Sequence, residues 1–181
     1  MSQDTPDDRA GHRAGGDRSG EARPGERVLA RDPALAAPLA GVVAIGRIRS
    51  PWTTRRDCPR NPREARERGQ PAALVIDPDY RAGLEGLERY SHIIVLYWMH
   101  EARRDLIVQS PAHLGTARGV FALRSPVRPN PIALSVVKVL DIDIATGRVT
   151  IDAIDCLDGT PLLDIKPYLP SVDAVPSAVV G

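Results

Sequence analysis

The sequence predicts a mainly β chain: a closed or nearly closed antiparallel Greek-key β-barrel with one short helix and a disordered N-terminal tail. Three observations carry this expectation. Apolar runs recur along the chain without alternating helical segments, which argues against a doubly wound parallel sheet. The 17 prolines and 15 glycines among 181 residues exceed the roughly 12% usual for the pair and favour turns over long helices. Ala145-Thr146-Gly147 separates two of the runs as a hairpin turn would.

In order, residues 1–40 contain no aromatic residue, and their only large apolar residues are Met1, Val28, Leu29, Leu35 and Leu39. Such a segment cannot bury enough surface to offset the entropy of ordering it, so it reads as a disordered extension. Asp4, Asp7, Asp8 and Asp17 oppose a transit-peptide reading. The barrel domain is expected over 41–175, with 176–181 as a tail. VVAIGRIR at 42–49 is the first strand, ended by Pro51-Trp52. The stretch 53–70, with Pro59 and Pro62, reads as a long loop. AALVID at 72–77 is a strand, and Leu84 and Leu87, between Asp77 and Glu88, predict the short helix. HIIVLYWM at 92–99 is apolar on both faces and therefore central. GVFAL at 119–123, the hairpin pair 132–143 and 148–155, and LLDIKPYL at 162–169 complete the strands.

No apolar run approaches the ~18 residues of a membrane span, and no signal peptide opens the chain. Two cysteines, Cys58 and Cys156, are too few for a disulfide framework or a four-cysteine metal site, which points to a cytoplasmic setting. No glycine-rich dinucleotide fingerprint follows a strand, so any nucleotide chemistry is not of the Rossmann type. The net charge is +1, but its distribution is uneven. Residues 53–70 hold Arg55, Arg56, Arg60, Arg63, Arg66 and Arg68 against Asp57, Glu64 and Glu67. The span 101–131 adds Arg103, Arg104, Arg118, Arg124 and Arg128 against Glu101 and Asp105, whereas 141–164 holds six aspartates and only Arg148. Basic residues are 22 arginines and 2 lysines, a ratio that suits bidentate anion contacts and that a GC-rich genome also produces.

Three motifs carry chemistry. In GVFALRSPVRPNPIALS, 119–135, Pro126, Pro129 and Pro131 restrict the backbone and hold Arg124, Arg128 and Asn130 on a stiff loop. These arginines either grip an anion or pair with the acidic strands. In DCLDGTPLLDIKPY, 155–168, Asp158-Gly159-Thr160-Pro161 is a turn by local chemistry. Asp155, Asp158 and Asp164 lie within ten residues as a general base, a cation partner or a metal site; a turn aspartate bonding its own backbone is the alternative for Asp158. The third motif is CPRNP, 58–62. His92 and His100 share one side of a strand, but a strand-end histidine reads as a surface residue, so no metal site is expected. Cys58 and Cys156 lack a nearby base and read as non-catalytic.

These segments, in this order, resemble the TsaA-like (TrmO) family of β-barrel S-adenosylmethionine-dependent methyltransferases, which modify tRNA at the adenosine beside the anticodon. The likeness runs from about Val43 to Val172, through IGRIRSPW, CPRNP and LEGLERYSHIIVLYWMH. It is densest in GVFALRSPVRPNPIALS and LDGTPLLDIKPYLP. It implies S-adenosyl-L-methionine as cofactor, bound near the subunit boundary of a homodimer, and methylation of N6-threonylcarbamoyladenosine at position 37. Carried over residue by residue, it assigns cofactor contacts to Pro59, Arg60, Asn61, His100, Glu101, Arg124, Leu134, Asp158, Gly159, Thr160 and Pro161. The substrate nitrogen must lose a proton, for which Asp155 and Asp158 are the candidates. The arginine-rich stretches are expected to form a rim for tRNA. The chain departs from the family at Asn61 and Glu101, where glutamine is usual, and at Ala133, where glycine is usual. Bacterial members carry a further C-terminal domain, whereas this chain ends at Gly181; a methyltransferase of a small metabolite and a non-catalytic RNA-binding barrel are therefore the alternatives.

Overall fold

The computed structural model describes residues 22–30, 41–111 and 114–180. The chain divides into two compact units: Met1–Ala36 with Ala102–Pro129, and Ala37–Glu101 with Asn130–Gly181. The elements of the two units interleave in sequence. Strands β1 (Arg27–Val28), β5 (Leu106–Gln109) and β6 (Arg118–Gly119) belong to the first unit. The second holds β2 (Gly46–Arg49), β3 (Ala72–Ile76), β4 (His92–Trp98), β7 (Ile132–Asp143), β8 (Arg148–Ile151) and β9 (Pro161–Pro167). Two helices, α1 (Pro62–Glu67) and α2 (Pro170–Asp173), also lie in the second unit.

The second unit is mainly β, as expected. Its strands follow the order β2–β3–β8–β7–β4–β9, and β2 also pairs with β9, so the six close into a barrel with every pairing antiparallel. Alternation along each strand decides what fills it. On β4, Ile93, Val95 and Tyr97 are buried while Ile94, Leu96 and Trp98 are half-buried. Ile48 lies opposite Leu74, Leu74 opposite Val149, and Ile93 opposite Val137. All are essentially inaccessible and share one apolar cluster with Ile76, Ile151, Ile154 and Leu162. Gly46 is required by close approach: a Cβ there would stand 2.1 Å from the Val75 carbonyl oxygen.

The hairpin expected at 145–147 joins β7 and β8. Asp143 closes it by accepting from the Thr146 N–H (3.2 Å) and hydroxyl (2.7 Å). A register shift between Val139 and Asp141 leaves Leu140 as an extra residue on β7, a bulge in its pairing with β8.

Four expectations need correction. The stretch 53–70 is not all loop, because α1 forms within it. Asn61 is its N-cap, accepting from the Glu64 N–H (2.9 Å), while Glu64 accepts from the Arg60 N–H (3.0 Å) and Pro62 starts the helix. This reciprocal cap outweighs the two prolines, which precede the helix interior. The segment 77–88 forms two 3-10 turns, Pro78–Leu84 and Leu87–Arg89, that bury Leu84 and Leu87. GVFAL is not a strand: a 3-10 turn takes Val120–Ala122 after the two-residue β6. The expected disorder of 1–40 does not hold for 22–30, where β1 pairs with β5 and Glu26 accepts from Arg23 and Ser110. The other residues of that tail, 1–21 and 31–40, lie outside the described residues. In the first unit β5 lies between β1 and β6, a strand that the sequence reading does not place. No helix among the described residues is long and apolar enough to cross a membrane.

Candidate functional site

The opening and closing motifs of the barrel are one hydrogen-bonded structure. The Ile48 N–H donates to the Thr160 carbonyl (2.8 Å), and the Gly159 N–H returns to the Ile48 carbonyl (2.9 Å). Asp158 donates its N–H to the Trp52 carbonyl (2.7 Å). Its carboxylate accepts from the Ser50 N–H (3.1 Å) and from Arg49 Nη1 (3.2 Å). The Ser50 hydroxyl donates to the Cys156 carbonyl (2.7 Å), and the Trp52 indole N–H donates to the Ile154 carbonyl (2.8 Å). Arg68 lies over the Trp52 ring, 5.1 Å from its centroid. Gly159 supplies the positive φ (+79°) that the turn needs. Thr160 is buried, its hydroxyl donating to the Leu157 carbonyl (2.7 Å). Both carboxylate oxygens of Asp158 are thus committed to shaping the loop.

Asp155 sits differently. Its Oδ1 accepts from the Tyr97 hydroxyl (3.1 Å), and the Ser135 hydroxyl lies 3.5 Å from the same oxygen and 3.0 Å from Tyr97 Oη. Register explains the meeting: Ser135 is opposite Val95 and Tyr97 opposite Ala133, so both polar side chains point inward from adjacent strands. Tyr97 and Ser135 are buried. Burial, together with the Asp155 charge, pushes the Tyr97 phenol well above its usual range, so it stays protonated and can donate to the carboxylate. Sequence reading passes over both residues. The available signal is one polar residue on the otherwise apolar inward face of each strand, Tyr97 beside Ile93 and Val95 and Ser135 beside Ala133 and Val137, and neither identifies a partner by itself.

Burial also raises the two thiols. Cys58, with Asp155 nearby adding to the effect, is pushed to about 11, and the buried Cys156 moves further in the same direction. Both remain protonated thiols near neutral pH and are poor nucleophiles. Among the described residues no group of three or more His, Cys, Asp or Glu is arranged to hold a metal.

The remaining candidates are spread out. Pro59 is buried, Arg60 is exposed, and Asn61 uses its side-chain oxygen to cap α1. His100 is exposed just past β4, its N–H donating to the Trp98 carbonyl (2.8 Å). Arg55 Nη2 donates to the Glu101 carbonyl (2.5 Å), and its Nε lies 3.8 Å from the Glu101 carboxylate. Leu134 is 43% exposed on the outer face of β7, while its neighbour Ser135 faces the interior. Pro161 pairs with Arg47 at the start of β9. Arg124 is exposed and belongs to the first unit. Asp164 is ion-paired with Lys166 (2.6 Å) and does not join Asp155 and Asp158.

The expected arginine rim is largely committed within the fold. Arg63 pairs with Glu67 (2.9 Å) and Arg68 with Glu64. Arg66 reaches Asp152 (3.0 Å) and the Val136 carbonyl (2.6 Å), fixing α1 to the barrel wall. In the first unit, Arg103 pairs with Asp105 (2.7 Å), Arg104 donates to the Pro129 carbonyl (2.7 Å), and Arg128 donates to three carbonyls. Arg66→Ala should therefore destabilise the protein by about 1 kcal/mol, while Arg63→Ala, an exposed i,i+4 pair, should change little. Thermal melts of the two variants check this, and equal melting temperatures would contradict the assigned anchor.

The family profile described as the tRNA-methyltransferase O N-terminal domain matches residues 47–174. Over 144 residues the chain is 43% identical to a probable S-adenosyl-L-methionine-binding protein, VirR, of Rhizobium radiobacter, covering 78% of this chain and 79% of that one. It is 36% identical to the Escherichia coli tRNA (adenine(37)-N6)-methyltransferase, covering 74% of this chain and 60% of the enzyme. A crystal structure of TrmO from Pseudomonas aeruginosa superposes with a TM-score of 0.64 at 38% identity. That match covers 81% of this chain and 62% of the solved one, so the chain spans less than two thirds of that structure. With its profile match running from the first barrel strand to the C-terminal helix, the chain belongs to the tRNA-methyltransferase O family.

Proposed function

We propose that this chain transfers a methyl group from S-adenosyl-L-methionine to the exocyclic nitrogen of threonylcarbamoyladenosine at position 37 of tRNA. The observation that carries the reading is the span of the family match. Residues 47–174 contain every candidate from Pro59 to Pro161, including Asp155 with its two hydroxyl partners. In the second unit Asp155 is a partly exposed carboxylate, which suits a sulfonium; in the first unit Arg124 is an exposed guanidinium that the family resemblance assigns to the cofactor's amino-acid carboxylate. When bound, the cofactor supplies an electrophilic methyl that needs little activation. The chain's contribution is alignment and proton removal. Asp155 takes the proton from the substrate nitrogen, its carboxylate oriented by Tyr97 and Ser135. Asp158 fixes the loop carrying it, through Arg49 and Ser50. Pro59, Arg60, Asn61, His100, Glu101, Leu134 and the 158–161 turn are the cofactor contacts implied by the family resemblance. The same resemblance supports a homodimer and a cytoplasmic location. It also supports a Greek-key barrel, with β9 returning beside β4, the first strand of the β4–β7–β8 meander.

Arg124→Ala should weaken cofactor binding about ten- to more than a hundredfold, the loss of a charge-assisted contact of roughly 1.5–3 kcal/mol, with little change in melting temperature. Calorimetry with S-adenosyl-L-methionine measures it, and unaltered affinity would make the arginine structural. The engagement of Arg55, Arg63, Arg66 and Arg68 inside the fold favours a second reading, a small-metabolite acceptor. Radiolabelled methyl transfer to total tRNA at increasing salt separates the two. An RNA acceptor gives transfer that falls steeply with salt, with a binding slope near −0.7 per phosphate contact. Cofactor binding without transfer to tRNA would move the assignment to the metabolite.

A further inference from the structure

Phe121 is the single phenylalanine of the chain and is 80% exposed. The surrounding turn holds it that way. Val120, beside it, is 1% exposed and anchors the 3-10 turn Val120–Ala122. The Arg128 guanidinium donates to the carbonyls of Val120 (3.0 Å), Leu123 (3.2 Å) and Ser125 (3.3 Å). The turn is thereby tied on both sides of the ring. A phenyl group fixed in water forgoes the burial that most phenylalanines obtain, which points to a partner for its face.

The local charge says which kind. No aspartate or glutamate occurs between Asp105 and Asp141, whereas Arg118, Arg124 and Arg128 all do. Arg118 and Arg124, three residues to either side of Phe121, are both exposed. Among the described residues of this unit the only acids are Glu26 and Asp105, each paired with an arginine at 2.8 Å and 2.7 Å. A rigid, exposed aromatic three residues from the exposed Arg118, on a stretch of chain without acidic residues, suits a polyanion with flat apolar faces. An acidic protein surface would match the charge but offers few planar faces for the ring.

We propose that Phe121 is a stacking platform for an unpaired nucleobase of RNA, with Arg118 taking an adjacent phosphate. The inference rests on RNA being the methyl acceptor. Stacking uses the π-face that every base has, so it positions a splayed loop nucleotide without requiring its sequence. The adenine of the cofactor offers the same chemistry, and the measurements below distinguish the two sources.

The test is fluorescence anisotropy of the full chain with a fluorescein-labelled anticodon stem–loop RNA. Phe121→Ala and Phe121→Leu should weaken binding roughly five- to 150-fold. Phe121→Trp should stay close to the parent protein. Arg118→Ala should lower the salt slope by about 0.7, while Phe121→Ala leaves the slope unchanged. Cofactor affinity and melting temperature should be the same in all four variants. RNA affinity unaffected by Phe121→Ala and Phe121→Leu, with the parent chain binding normally, overturns this proposal alone. Loss of cofactor affinity instead assigns the ring to the cofactor adenine and overturns it. A changed sedimentation coefficient in Phe121→Ala assigns the ring to a protein–protein contact and likewise overturns it. A parent chain that fails to bind the stem–loop overturns the RNA reading itself, and this proposal with it.

Discussion

Asp155→Asn should lower kcat for methyl transfer by about 10²–10⁴-fold while cofactor affinity changes little. Asparagine keeps the size of the side chain and can still accept from the Tyr97 and Ser135 hydroxyls, so the barrel wall is preserved. What it loses is the ability to take a proton, and a positioned base contributes about that factor. Single-turnover methylation with saturating cofactor is the measurement. A rate within threefold of the parent would remove Asp155 from the chemistry. Asp158→Asn provides the contrast. Its carboxylate serves Arg49 and the Ser50 N–H, so the change should act on the stability of the loop rather than on kcat.

Leu74→Ala should destabilise the barrel by about 2–5 kcal/mol, the largest stability effect expected of a single core truncation. Leu74 is fully buried on β3, with Ile48 opposite on one side and Val149 on the other. Its neighbours belong to strands tied by backbone ladders on both edges, so they cannot collapse into the vacated volume. At roughly 2–4 °C per kcal/mol for a chain of this size, melting should fall by several degrees at least. Calorimetric melting of the variant decides it. A loss under 1 kcal/mol would mean that the site repacks and that Leu74 is not wedged between its two ladders.

The element types are legible where a residue pattern is local and unambiguous. β7 is a long run rich in β-branched and other apolar residues, and the Ala145-Thr146-Gly147 turn has the chemistry of a hairpin, so both stand where the sequence puts them. The helix at 62–67 reads as loop in the sequence. Two prolines argue against it, and the reciprocal bonds among Arg60, Asn61 and Glu64 that outweigh them depend on side-chain geometry. Likewise, GVFAL has strand-like composition, but Arg128 draws its carbonyls into a turn from several residues away in sequence.

The candidate site divides along the same line. Sequence by itself determined two candidate motifs, the Asp155–Pro161 segment and the stiff arginine loop, because both are contiguous strings whose chemistry is local. It left Asp155 and Asp158 equivalent as bases, and it offered all six arginines of 53–70 to RNA. Tertiary structure gave the two aspartates different surroundings by bringing Arg49 and Ser50 to one carboxylate and Tyr97 and Ser135 to the other, across separations of 20 to 109 residues. It reassigned Arg66 and Arg68 to the protein's own groups. The physical reason is that charge and hydrogen bonding act over a few ångströms of space, and only the folded arrangement of strands and loops determines which distant residues come that close.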